Sequence, residues 1–179
     1  MPKINANSIT IHYEIKGQGT PILFLHGSGA SWKMWEPQFE AFTSRYQMLM
    51  PDYRGHGDTT KEFPINKYDH HIIVEDIKCF LDVLGISKIH VIGVSQAGQL
   101  ATLLAIKYPT YVDKLVVSNS YSEMPTIAAS WVLSISNFIF SLLPYSTIIN
   151  IMMKFYKEDP YTQRILRESF SLIRRCCLQ

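Results

Sequence analysis

The segment Gly93-Val94-Ser95-Gln96-Ala97-Gly98 constrains this chain more than any other. It follows a short apolar run, Ile89-His90-Val91-Ile92, and opens a helical stretch that continues through Leu100 to Lys107 before Pro109. A serine on so tight a strand-to-helix turn is pushed into a strained backbone conformation that exposes its hydroxyl above the sheet. The turn closes only if the residues two before and two after the serine are small. Gly93 and Ala97 meet that condition, Ala97 departing from a strict G-x-S-x-G by one methyl group, and Gly98 lets the helix come close to the sheet. The bland alternative is a chance Gly-Ser turn that happens to begin a helix.

The surrounding chain fits an α/β fold. Ile9 to Ile15 alternates apolar with mostly polar residues, the period of a half-buried strand, and Gly17-Gln18-Gly19 ends it. Pro21 to Leu25, Gln47 to Met50, Ile89 to Ile92 and Lys114 to Val117 are instead short and mostly apolar, as in a parallel sheet covered on both faces. Between them, Ile73, Ile77, Phe80 and Leu84 form one helical stripe, with Glu75, Asp76, Lys78 and Asp82 off it and Gly85 as the stop. A weaker helix is expected from Glu36 to Ser44. The order strand, helix, strand, helix predicts an α/β sheet with right-handed crossovers.

Composition narrows the classes. Of the 179 residues, 47% are hydrophobic and 18% charged, which excludes a disordered chain. A net charge of +2 with no clustered basic face argues against nucleic acid as a partner. Three cysteines, Cys79, Cys176 and Cys177, make no disulfide framework, and residues 1–20 do not read as a signal peptide. A reducing, cytoplasmic setting is expected.

Two further motifs follow other strands. His26-Gly27-Ser28-Gly29 ends the Pro21–Leu25 run, and its backbone N–H groups can point at a developing oxyanion, as can the N–H of Gln96. Asp52-Tyr53-Arg54-Gly55-His56-Gly57-Asp58-Thr59 forms a glycine-rich turn after the next strand. All three motifs lie at carboxyl ends of parallel strands, where open α/β sheets bind ligands.

On these motifs the sequence resembles the α/β-hydrolase family, specifically its capped members with a short H-G-x oxyanion motif, over about residues 8–122. The Asp76–Ile86 segment and the Pro109…Val112…Val117 run also look like that family. The resemblance implies Ser95 as nucleophile and the N–H groups of Ser28 and Gln96 as oxyanion hole. It implies structural, loop-holding roles for His26, Asp52, Arg54 and His56. The implied chemistry is acyl transfer or a close relative: Ser95 attacks a carbonyl carbon, a histidine takes its proton, and an acid orients the histidine. No cofactor and no metal ion is called for.

The pattern breaks downstream. The six histidines are His12, His26, His56, His70, His71 and His90, all before Ser95, whereas the family's order is serine, acid, histidine. His90 sits inside the strand that leads to the serine. His70 and His71 open a helix and are expected to be solvated, and His56 holds a structural position. The acid and the base are therefore expected to be absent from the chain, which reads as the N-terminal part of an enzyme lacking the fold's last strands. In that reading the Leu115–Val117 strand is an exposed apolar edge open to self-association.

Residues 123–179 are expected to be a partial helical cap on a core of residues 1–122. Met124 to Met153 carries no charge, but Ser130, Ser134, Asn137 and Ser141 recur at helical spacing and Pro144 interrupts it. Two amphipathic cap helices fit this better than a membrane span, and an apolar cap suits a small-molecule substrate with a hydrophobic acyl or alkyl part. The final Cys176-Cys177-Leu178-Gln179 formally matches a prenylation signal but reads as accidental. The expected function is a serine hydrolase acting on an ester or related carbonyl substrate; the alternative is an inactive remnant or interaction module of the same fold. Esterase, lactonase, C–C bond hydrolase and haloperoxidase chemistries remain open on these motifs.

Overall fold

The computed structural model describes residues 2–63 and 68–120, together with Thr147, Pro160, Tyr161 and Arg164. The chain divides into two compact units, Met1–Ser120 and Tyr121–Gln179. Apart from Thr147, Pro160, Tyr161 and Arg164, the expected cap helices, the uncharged Met124–Met153 stretch and the terminal cysteines lie outside the described residues.

The first unit is a six-stranded sheet in the order β1-β2-β4-β3-β5-β6: β1 (Lys3–Ala6), β2 (Ile9–Lys16), β3 (Thr20–Leu25), β4 (Tyr46–Pro51), β5 (Ile89–Val94) and β6 (Val112–Ser118). The pairs β1–β2 and β2–β4 are antiparallel, and β4, β3, β5 and β6 run parallel. The continuous apolar runs have the cause expected of them. In β3, Leu23 and Leu25 enter the core beneath α2 (His70–Val83) and α3 (Gln96–Lys107), while Ile22 and Phe24 pack on the opposite face with Trp35, Met48 and Met50. Where both faces are covered, as from Ile22 to Leu25, neither face of the strand keeps a polar residue for solvent.

β1 was not foreseen. Its four residues, K-I-N-A, carry too little apolar signal, and the strand exists because Asn7 and Ser8 both take positive φ, 49° and 61°, in a two-residue hairpin that pairs Ala6 with Ile9. Positive φ at both central positions is the type I′ requirement that matches strand twist. The weak helix expected from Glu36 to Ser44 is a 3-10 helix, Trp32–Gln38, followed by a single α-turn, α1 (Phe39–Phe42). Pro37 has no N–H to donate to a longer ladder.

The end of α2 matches expectation. Gly85, at φ 70°, donates to Asp82 C=O, and Ile86 N–H reaches back to Leu81 C=O at 2.9 Å, the paired bonds of a Schellman stop. One helical assignment is corrected. Asp76, placed among the residues off the apolar stripe, is 1% exposed and meets Arg54 through two bonds of 2.6 and 2.8 Å. Asn7 adds a third at 2.7 Å, so a carboxylate on the core side of α2 ties the β1–β2 hairpin to the glycine-rich turn. Among the described residues β6 is the edge strand at the parallel end of the sheet, and its Leu115, Val116 and Val117 are 37%, 52% and 46% exposed. No helix among the described residues is long and apolar enough to cross a membrane.

Candidate active site

Ser95 sits between β5 and α3 with φ 55° and ψ −128°, a region that L-residues avoid. A serine before a helix usually caps it, but the Ser95 side chain makes no capping bond, and its residue is exposed. The hydroxyl is left presented above the sheet.

The small neighbours explain how the strain is held. A Cβ on Gly93 would run into the Ala97 carbonyl and come within 2.9 Å of the Ala101 Cβ, so α3 can cross this close to β5 only over glycine. A Cβ on Gly98 would stand 2.5 Å from Ser120 Cβ and 2.9 Å from Val117 Cγ1, at the end of β6. Ala97 is fully buried, which accommodates its methyl group. Ser95 N–H donates to Ser118 C=O at 3.0 Å, fixing the turn to β6.

The H-G-S-G loop adjoins this turn. A Cβ on Gly27 would lie 3.4 Å from Ser95 Cβ and 4.0 Å from its Oγ. Ala30 N–H closes a turn onto Gly27 C=O at 3.2 Å with Gly29 at φ 72°, and Ser28 is exposed at its crest. Ser95, Ser28 and Gln96 thus belong to segments that meet at one end of the parallel strands.

Behind that loop lies a buried polar cluster centred on Asp52. Its carboxylate accepts from His12 Nδ1–H at 2.7 Å and from the Trp32 N–H at 2.7 Å, and Gly57, at φ 50°, leaves the room that a Cβ would take from it. Burial alone would raise the Asp52 carboxyl, but the His12 hydrogen bond and the nearby His26 outweigh it and hold it below the usual range. His26 donates from Nδ1 to Gly27 C=O at 2.9 Å and stacks on Tyr53 at 4.4 Å; burial lowers its pKa. His56 packs on Tyr53 and on the edge of His26, and burial, with repulsion from His26, lowers it to about 4. These side chains brace loops.

The other histidines are elsewhere. His90 Nδ1 lies 3.2 Å from Asp113 Oδ2 near the amino end of β5, off hydrogen-bonding angle. His71 is exposed as expected, but His70 is half-buried with its ring edge on Tyr68, which corrects the expectation that it is solvated. Sequence reasoning also missed Tyr68, whose ring meets those of His70 and Phe63 at 5.2 and 5.3 Å between centroids. Among the described residues no group of His, Cys, Asp and Glu is arranged to hold a metal ion.

A family model described as the alpha/beta hydrolase fold matches residues 20–149. The chain belongs to the α/β-hydrolase family. Among its α/β-hydrolase relatives, human epoxide hydrolase 4 is 38% identical over 119 residues, covering 65% of this chain and 33% of that protein. The RutD protein of Caulobacter vibrioides, named for carbamate hydrolysis, is 34% identical over 117 residues, covering 63% of this chain and 43% of its own length. An epoxide hydrolase structure from Vigna radiata is 30% identical with a TM-score of 0.62, covering 65% of this chain and 38% of that one. The enol-lactonase of Burkholderia xenovorans LB400 shares the fold at a TM-score of 0.79 and 20% identity, over 94% of this chain and 67% of that one. This α/β-hydrolase chain spans between a third and a half of the length of the curated relatives named here.

Proposed function

We propose that this hydrolase-family chain carries the nucleophile and oxyanion site of a serine hydrolase for ester or related carbonyl substrates, carbamates and lactones included. The observation that carries the reading is Ser95 at φ 55° with an exposed, uncapping hydroxyl. Ser95 Oγ attacks the carbonyl carbon and gives up its proton to a base. The Ser28 and Gln96 N–H groups receive the developing oxyanion, and the alcohol or amine leaves with a proton. Water then attacks the acyl-serine carbonyl and restores the hydroxyl.

The relatives include proteins named for epoxide and for carbamate hydrolysis, and the nucleophile's chemistry discriminates between these. A serine that opened an epoxide would become an ether. An ether offers water no carbonyl to attack, so the enzyme would not turn over. An acyl- or carbamoyl-serine does offer one. The hydroxyl at position 95 therefore favours carbonyl substrates.

A second reading, a non-catalytic member of the fold, is favoured by one observation: among the described residues no histidine hydrogen-bonds to Ser95, and His26 and His56 are engaged with Gly27 and Arg54 carbonyls instead. Loss of a triad histidine costs on the order of 10⁶ in kcat, with an oxyanion hole alone keeping about 10³–10⁴ over water. Exposure of the full chain to a p-nitrophenyl ester, an aryl carbamate and an aryl epoxide, followed by peptide mass mapping, separates the readings. Slow acyl and carbamoyl adducts on Ser95, absent in Ser95→Ala, support the hydrolase. Epoxide-derived alkylation of Ser95 in preference to acylation overturns the carbonyl assignment, and a Ser95 no more reactive than other serines favours the non-catalytic reading.

A further inference from the structure

Two peptide planes meet at Gly27, and each is held by a hydrogen bond. In the plane that follows, the Gly27 C=O accepts from His26 Nδ1–H at 2.9 Å and from the Ala30 N–H at 3.2 Å. That C=O and the Ser28 N–H belong to one trans peptide and point in opposite directions. The two donors on the carbonyl therefore aim the Ser28 N–H away from the His26 ring, and among the described residues it meets no acceptor.

The plane that precedes ends in the Gly27 N–H, which donates to Met34 Sδ at 3.4 Å. This bond ties the end of β3 to the 3-10 helix Trp32–Gln38, seven residues further on. Met34 is itself well placed to hold it. Its N–H donates to the Ser31 C=O at 3.1 Å, and its partly buried side chain packs against the cluster of Ile22, Phe24, Trp35, Met48 and Met50. The Trp32 N–H is taken by Asp52 at 2.7 Å, which fixes the far end of the loop.

We propose that Met34 is a positioning residue of the oxyanion site: its thioether takes the Gly27 N–H, and so holds the peptide that carries the Ser28 N–H in place beside Ser95. This rests on Ser95 as nucleophile and the Ser28 N–H as an oxyanion donor. Glycine has the widest backbone freedom of any residue, so a donor hinged on Gly27 needs both flanking planes fixed. Gly27 also adjoins the nucleophile, since a Cβ there would lie 3.4 Å from Ser95 Cβ, and a turn of its backbone moves the Ser28 N–H relative to Ser95. An N–H aimed at a developing charge is worth most when it does not have to reorganise at the moment of reaction. A thioether is a weak acceptor, which sets the effect at a modest size.

The test is the rate at which a fluorophosphonate modifies Ser95 in the full chain. Met34→Leu removes the acceptor and nearly keeps the volume. It slows modification about three- to tenfold, less than the roughly 10²–10³ lost with an oxyanion donor itself, because the Ser28 N–H is still present. Met34→Gln brings an amide oxygen to the Gly27 N–H and recovers most of the rate. A packing role predicts the reverse order, since leucine suits the apolar cluster better than glutamine. The Gly27 amide resonance follows the same order, moving in Met34→Leu and returning in Met34→Gln. Met48→Leu, in the same cluster but fully buried, changes neither readout. An unchanged rate or Gly27 resonance in Met34→Leu, a Met34→Gln no faster than Met34→Leu, or equal slowing in Met48→Leu overturns the proposal and leaves the hydrolase reading standing. If Ser95 of the unsubstituted chain is not modified at all, the hydrolase reading falls and this proposal falls with it.

Discussion

Three side chains in the small volume behind the H-G-S-G loop, Asp52, His26 and His56, have their pKa values lowered by the fold. Asp52 is kept ionised by His12 and its neighbours, while burial keeps His26 and His56 neutral. Each of the three has a folded pKa below its unfolded value, so between those values the unfolded chain binds more protons than the folded one. Stability is therefore full above the unfolded histidine value of about 6.5 and falls as pH drops towards the His56 value of about 4, with Asp52 adding a further loss below that. Discounted for its partial exposure, His56 accounts for on the order of 2 kcal/mol of this loss. In His56→Gln the drop in urea midpoint between pH 7 and pH 4 becomes shallower. An equally steep drop in the variant would place the acid sensitivity elsewhere. The sequence made these residues legible as a group, but not their arrangement. His12 lies in an alternating strand where it reads as a surface residue, and only pairing with β4 brings it under Asp52.

At the scale of the element, the site depends on how closely α3 crosses β5. Two glycines separate the possible causes of such a requirement. Gly85 has φ 70° with nothing within 4 Å of where a Cβ would stand, so Gly85→Ala costs only backbone strain, about 1 kcal/mol. Gly93 has no space, since the Ala97 carbonyl and Ala101 Cβ occupy it. Gly93→Ala must push the helix away from the strand and costs about 3 kcal/mol, read as a larger loss of denaturation midpoint than Gly85→Ala. Comparable losses in the two would contradict the close crossing as the cause. The strands β3, β4 and β5 were legible because burial on both faces leaves a mostly apolar run, and β6 because Leu115, Val116 and Val117 make such a run although they are exposed. β1 and the buried side of α2 were not: a four-residue strand has no period to read, and Asp76 looks like any solvated helix carboxylate until Arg54 arrives from a turn 22 residues away.

At the scale of the molecule, the first unit assembles three loops from β3, β4 and β5 at one end of the sheet, and the order of those loops in the sequence was enough to foresee the family. The central claim is that the strained serine on β5 is a nucleophile. Peptide mapping after prolonged incubation of the full chain with a fluorophosphonate tests this most directly. The predicted result is slow modification of Ser95 ahead of every other serine, lost in a folded Ser95→Ala chain. Modification spread over other serines, or unchanged in Ser95→Ala, would contradict it.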